Sequence, residues 1–128
     1  MLILIVDDDP LAGQMTAAIL ENRGHSTVWV ADGREALQRI EAGAPFDLVV
    51  SDLNMPVMSG IELYRELRRR RTIPFVLLTG DDPRTVDGTE ASFSACIQKD
   101  GSLAASLDAV LRDMKTEEAP WVQTAKPR

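Results

Sequence analysis

Several polar residues stand where apolar runs of this chain end. Asp7 and Asp8 follow Leu2 to Val6, Asp52 follows Phe46 to Ser51, Thr79 closes Pro74 to Thr79, and Lys99 follows Ala95 to Gln98. Carboxylates brought into one pocket repel, and the repulsion is relieved by a raised pKa or by a bound cation. Aspartate, carbonyl and water oxygens are the ligand set of Mg²⁺, a hard octahedral ion that also recruits phosphate oxygens. Lysine is scarce: Lys99, Lys115 and Lys126 are the only ones, against eleven arginines. A lysine at the end of the last run supplies a compact point charge for a phosphoryl group, and the Thr79 hydroxyl can donate to its oxygens. Taken singly, these residues read as a solvated turn, an ordinary strand end and a surface lysine. Taken together they fit phosphoryl chemistry.

That chemistry needs a scaffold that brings strand ends together. Leu2 to Val6 is unbroken and β-branched, as a strand covered on both faces reads. Asp9 suits an N-cap and Pro10 a first helical position, with Leu11, Met15, Ala18 and Ile19 at helical spacing and Gly24 as the closing glycine. Ser26 to Ala31 reads as a second, more polar strand suited to an edge. Asp32 to Glu35 reads as a capping box opening a helix through Ile40 that closes near Gly43. Phe46 to Ser51 is a third strand, ending at Asp52. A loop of Asn54, Met55, Pro56, Val57 and Met58 follows, then a second capping box from Ser59 to Glu62. Ile61, Tyr64 and Leu67 are expected on that helix's inner face. Pro74 to Thr79 is a fourth strand. A weak helix is expected around Thr85 to Ser92, where propensity is poor. Ala95 to Gln98 is a short fifth strand, and Leu103, Leu107, Val110, Leu111 and Met114 line one face of a closing helix.

Five βα units predict a parallel sheet with helices on both faces, and right-handed crossovers make it doubly wound. Mixed second and fifth strands suit the edges of an order 2-1-3-4-5. In such a sheet ligands bind beyond the carboxyl ends of the strands, where strand order reverses, and there the polar residues gather.

At 128 residues the chain suits one domain, and 45% hydrophobic with 27% charged residues is the composition of a globule with a real core. No apolar run approaches the roughly 20 residues that span a bilayer. The first run lacks the flanks of a signal peptide. One cysteine, Cys96, requires no oxidising compartment, so a cytoplasmic location is expected. A net charge of −6 opposes direct nucleic-acid binding by the domain as a whole. The basic run of Arg65 and Arg68 to Arg71 reads as an exposed helix end favoured by the macrodipole. From Thr116 onward the pattern stops, which gives a domain over 1–115 and a tail or linker stub over 116–128.

With these motifs in order, the chain resembles a response-regulator receiver domain of the chemotaxis-regulator type. The motifs are Ile5-Val6-Asp7-Asp8, Ser51-Asp52-Leu53-Asn54-Met55-Pro56 with Ser59-Gly60, Leu77-Leu78-Thr79-Gly80, and Lys99. The resemblance implies a flavodoxin-like fold with five helices and a two-component signalling role. It implies that Asp52 is the phosphoacceptor for a group carried by a histidine kinase or phosphotransfer protein. Mg²⁺ would be held by Asp8, Asp52 and the Asn54 backbone carbonyl, with Asp7 acting through water. Lys99 would offset phosphoryl charge. Thr79 would report the modification to a face that contacts a downstream protein or output domain. Two positions depart from the family pattern. Cys96 replaces an aromatic three residues before the lysine, and Asp100 replaces a proline after it, which puts the usual transmission in question.

The expected protein is a phosphoacceptor signalling domain rather than an enzyme. One rival is a receiver-like binding module that works without phosphorylation. Another is a Mg²⁺-dependent aspartyl-phosphate phosphohydrolase, for which Asp7 and Asp9 would supply the paired acids.

Overall fold

The computed structural model describes residues 1–80 and 95–116, with side chains described to Arg112 and from Cys96 in the second stretch. Along the chain run β1 (Leu2–Val6), α1 (Pro10–Glu21), β2 (Ser26–Val30), α2 (Gly33–Glu41), β3 (Leu48–Asp52), α3 (Gly60–Arg68), β4 (Phe75–Thr79), β5 (Ala95–Gln98) and α4 (Leu103–Thr116). The strands form one parallel sheet in the order β2-β1-β3-β4-β5. This is the expected doubly wound topology with its switch point between β1 and β3. Four helices lie among the described residues; the weak helix expected around Thr85 to Ser92 falls outside them. No helix among the described residues is long and apolar enough to cross a membrane.

Alternation along the strands sends side chains to two cores. Leu4, Val6, Val49, Phe75 and Leu77 pack with Ile40, Leu63 and Leu67 under α2 and α3. Ile3, Ile5, Val50, Val76 and Leu78 pack with Leu20, Leu107 and Leu111 under α1 and α4. β3 and β4 are buried throughout and β1 from Ile3 onward, whereas β2 is half exposed, as its polar sequence implies.

The helix ends follow local chemistry. The Asp9 carboxylate accepts from Leu11 N–H at 3.0 Å, and Pro10 occupies the first turn. The chain leaves α1 through Gly24 at φ +89°, with Gly24 N–H bonded to Glu21 O and His25 N–H to Leu20 O. Ser59 and Glu62 form the reciprocal capping box. At α2 only the first half of the box is made: Asp32 accepts from Glu35 N–H at 2.8 Å, while the Glu35 carboxylate lies 3.6 Å from Arg39.

Three expectations need correction. The inward face of α1 is Gly13, Thr16 and Leu20, and Leu11 and Met15 are 67% and 58% exposed. Of the four residues at helical spacing, Ile19 packs partly against the core, whereas Ala18 is exposed with Leu11 and Met15. On α3 Tyr64 and Leu67 are buried as expected, but Leu63 is buried with them and Ile61 is only partly covered. Phe46 is buried but precedes β3, because its N–H closes a tight turn onto Ala44 O and leaves the ladder to start at Leu48.

Candidate functional site

The carboxyl ends of β1 and β3 are neighbours, with Val6 paired to Ser51, so the residues that follow meet at one rim. One carboxylate oxygen from each of Asp7, Asp8 and Asp52 lies within 4.8 Å of the other two. Asp7 and Asp52 are buried, and Asp8 is exposed. Lys99, the residue after β5, reaches across the end of β4 to both buried acids. Its Nζ stands 3.1 Å from Asp7 Oδ2 and 3.2 Å from Asp52 Oδ1. The Lys99 backbone N–H donates to Thr79 O at 2.7 Å, which ties the lysine's strand end to the threonine's.

Three carboxylates against one ammonium leave negative charge uncompensated. The Asp52 carboxyl is pushed above its ordinary range, first by burial and then by Asp7 and Asp8, with Lys99 pulling the other way. For Lys99, burial works against the charge, but hydrogen bonding and attraction from Asp7 and Asp52 outweigh it and raise its pKa. A hard divalent cation fits this donor set: all candidate ligands are oxygens, they converge, and their charge exceeds what the lysine balances.

The remaining site residues are placed around this centre. Thr79 is fully buried at the end of β4. Asn54 is exposed in the loop after β3, two residues beyond Asp52. Gly60 is required here: an added Cβ would stand 2.7 Å from Leu77 Cδ1 and closer still to the Asp52 carbonyl oxygen. Asp9, the second acid of the phosphohydrolase reading, is engaged as the α1 cap and lies outside the three-acid cluster.

At the two departing positions, Cys96 pairs with Leu77 across the sheet and packs against the core under α2 and α3, where burial raises its thiol pKa. Asp100 is exposed and accepts from Ser102 N–H at 2.8 Å and Ser102 Oγ–H at 2.6 Å as the chain turns into α4. Trp29 lies in β2, and its indole N–H donates to Asp7 O at 2.9 Å, a contact that its place in a strand does not announce. The mid-helix Gly13 opposite it was the available signal, since a glycine there leaves room for a large neighbour.

The response regulator receiver domain model matches residues 3–111. Among curated proteins, the chain is 37% identical over 99 residues to the DNA-binding response regulator MtrA of Mycolicibacterium smegmatis, covering 76% of this chain and 43% of that protein. It is 34% identical over 115 residues to the transcriptional regulatory protein CpxR homolog of Haemophilus influenzae, covering 86% and 50%. It thus spans about half the length of these relatives. A CheY-like receiver domain from Methylobacillus flagellatus superposes with a TM-score of 0.78 at 31% identity, covering 88% of this chain and 96% of that one. The response regulator TrrA of Thermotoga maritima, solved with Mg²⁺–BeF, superposes with a TM-score of 0.78 at 27% identity, covering 87% and 96%. TrrA has also been solved in complex with the histidine kinase ThkA; that chain superposes with a TM-score of 0.74 at 27% identity, covering 86% and 97%. On the family match, the strand order and the acidic rim together, this chain belongs to the response-regulator receiver domains of two-component signalling.

Proposed function

We propose that this domain takes a phosphoryl group onto Asp52 from a phosphohistidine on a sensor kinase or phosphotransfer protein, with Mg²⁺ held at the acidic rim. The observation that carries this reading is the convergence of Asp7, Asp8 and Asp52 on a single lysine at the switch point of the sheet. An Asp52 carboxylate oxygen attacks phosphorus, a new O–P bond forms, and the N–P bond breaks with its electron pair returning to the imidazole. Asp8 and Asp52, with the Asn54 backbone carbonyl, would hold the metal directly and Asp7 through water. When bound, Mg²⁺ neutralises phosphoryl oxygens and fixes their orientation. Lys99 supplies the second positive charge, and its links to Asp7 and Asp52 aim it at the acceptor. Thr79, tied to Lys99 through the backbone, donates its hydroxyl to the new acyl phosphate and passes the change to the β4–β5 side.

Residues 1–115 carry this activity and 116–128 serve as a tail or linker. The output is a protein target or a following domain, not direct nucleic-acid contact, in keeping with the net charge of −6. Transmission from Thr79 proceeds without an aromatic at position 96, because Cys96 stands there.

The test is intact mass after incubation with acetyl phosphate and Mg²⁺. One phosphoryl adduct is expected in the wild type, none in Asp52→Asn and none with chelator. An unmodified wild type with intact circular dichroism overturns the reading in favour of a binding module that needs no phosphorylation. Turnover of a generic phosphomonoester that survives Asp52→Asn would instead point to the phosphohydrolase.

A further inference from the structure

Asp8 differs from its two acidic neighbours. Asp7 is pinned on both carboxylate oxygens, Oδ1 by Asp9 N–H at 2.9 Å and Oδ2 by Lys99, and Asp52 is held by Lys99. Among the described residues, no hydrogen bond or ion pair holds the Asp8 carboxylate. Its position therefore depends on the backbone that presents it, above all the peptide plane between Asp7 and Asp8. That plane lies past the last β1–β2 ladder bond, Asp7 N–H to Val30 O. Beyond it β2 turns away to cap α2, and the Asp7 carbonyl takes the indole N–H of Trp29 at 2.9 Å.

The indole is seated deliberately. A Cβ at Gly13 would stand 2.5 Å from Trp29 Nε1 and 2.6 Å from Cδ1, so the ring fills the space that any other residue on this face of α1 would claim. Glycine inside a helix costs about 1 kcal/mol relative to alanine, and this buried glycine sits in the second turn of α1. The pairing with Trp29 explains why it is there.

We propose that Trp29 is a positioning residue for the metal site: its indole N–H fixes the Asp7–Asp8 peptide and thereby presents the Asp8 carboxylate to the cation. This rests on the reading that the acidic rim holds Mg²⁺. Trp29→Phe keeps a ring over Gly13 and removes only the donor. Loss of one such hydrogen bond is expected to weaken Mg²⁺ binding by roughly two- to tenfold.

Mg²⁺ titration by calorimetry compares wild type, Trp29→Phe and Asp8→Asn. Weakened binding in Trp29→Phe, with a larger loss in Asp8→Asn, is the expected result. Equal Mg²⁺ affinity in Trp29→Phe and wild type overturns the role of Trp29 while leaving the metal site standing. No binding by the wild type, or none of it sensitive to Asp8→Asn, overturns the metal reading itself and this inference with it. A second readout does not depend on how well the Phe variant folds. In Trp121→Phe the single remaining indole N–H resonance belongs to Trp29, and it is expected to shift as Mg²⁺ saturates the protein. A resonance unmoved by Mg²⁺ binding means that Trp29 is packing alone.

Discussion

The two ends of the parallel sheet solve the same problems in opposite ways. At the end where the strands begin, charge stays near water: Arg23 pairs with Asp108 through side chains that are each about one-third exposed, and Asp47 Oδ2 accepts from Leu2 N–H at 2.7 Å. Left-handed backbone there falls on Gly24 at φ +89° and Gly43 at φ +97°, with nothing within 4 Å of where a Cβ would stand. At the end where the strands finish, Asp7, Asp52 and Lys99 meet with the acids almost fully covered. Among the described residues the left-handed one there is Val57, at φ 70°, and Gly60 and Gly13 serve close approach, to Asp52 and to Trp29. One end follows every local preference and the other overrides several within a few residues. Such overrides persist where a site needs them and the surrounding fold can hold them in place.

The contrast is broken most severely at Lys99. Lys99→Ala leaves Asp7 and Asp52 buried and facing each other, and stripping one partner from a buried ionic cluster costs about 3 kcal/mol. In a domain of this size the thermal midpoint in chelator is expected to fall by roughly 10 °C. Mg²⁺ should return part of that loss, since a cation replaces the missing charge. Arg23→Ala at the far end, removing a pair that water already screens, should scarcely move the midpoint. Equal losses at the two ends would show that burial does not distinguish them.

Gly60→Ala comes next. The new Cβ would meet the Asp52 carbonyl, which belongs to the backbone and cannot rotate away. A destabilisation of about 2 kcal/mol is expected by chemical denaturation, the scale of overpacking a tight interior. Phosphorylation from acetyl phosphate should slow as well, because the backbone that must yield carries the proposed acceptor, Asp52. Unchanged kinetics would mean that α3 moves and the end of β3 does not.

A subtler test uses pH. Burial, then Asp7 and Asp8, raise the Asp52 pKa in the folded protein against the pull of Lys99. A raised carboxyl pKa favours folding fully below the ordinary carboxylate range and loses that advantage as pH rises through the folded value. Asparagine never ionises, so Asp52→Asn should be more stable than wild type at neutral pH in chelator. The gap should close as the solution is acidified into the ordinary carboxylate range. Mg²⁺ should narrow it too, by stabilising the wild type more than the variant. A gap that does not change with pH would assign the difference to packing rather than charge.

What was legible in the sequence divides along the same line. Strand order, the Asp9 and Ser59 caps and the rim residues could be read because each rests on a local signal: an apolar run, a cap residue, a polar residue at a run's end. The inward face of α1 could not be read that way. Its Gly13 and Thr16 are turned inward by what lies opposite, and the Trp29 ring is contributed from another strand. Likewise Trp29 reads as a strand residue, and only the fold shows that β2 ends where the Asp7 carbonyl is left to its indole. The strain at Val57 was hidden for the converse reason, since valine advertises extended backbone and here does not adopt it.

Val57 gives the smallest expected effect and the most direct comparison of the two ends. A β-branched side chain in left-handed backbone costs about 1 kcal/mol, and Val57 is 79% exposed, so little packing offsets that cost. Val57→Asn, which tolerates this conformation, is expected to raise stability by up to about 1 kcal/mol in denaturant melts. Gly24→Ala at the opposite end meets open space but inherits a positive φ, and should lower stability by a similar amount. The two substitutions thus run in opposite directions for the same backbone reason. If Val57→Asn proves neutral, the loop after β3 relaxes readily and the rim stores no strain there. If it stabilises while acyl-phosphate lifetime changes, the strained loop that carries Asn54 also helps set the chemistry at Asp52.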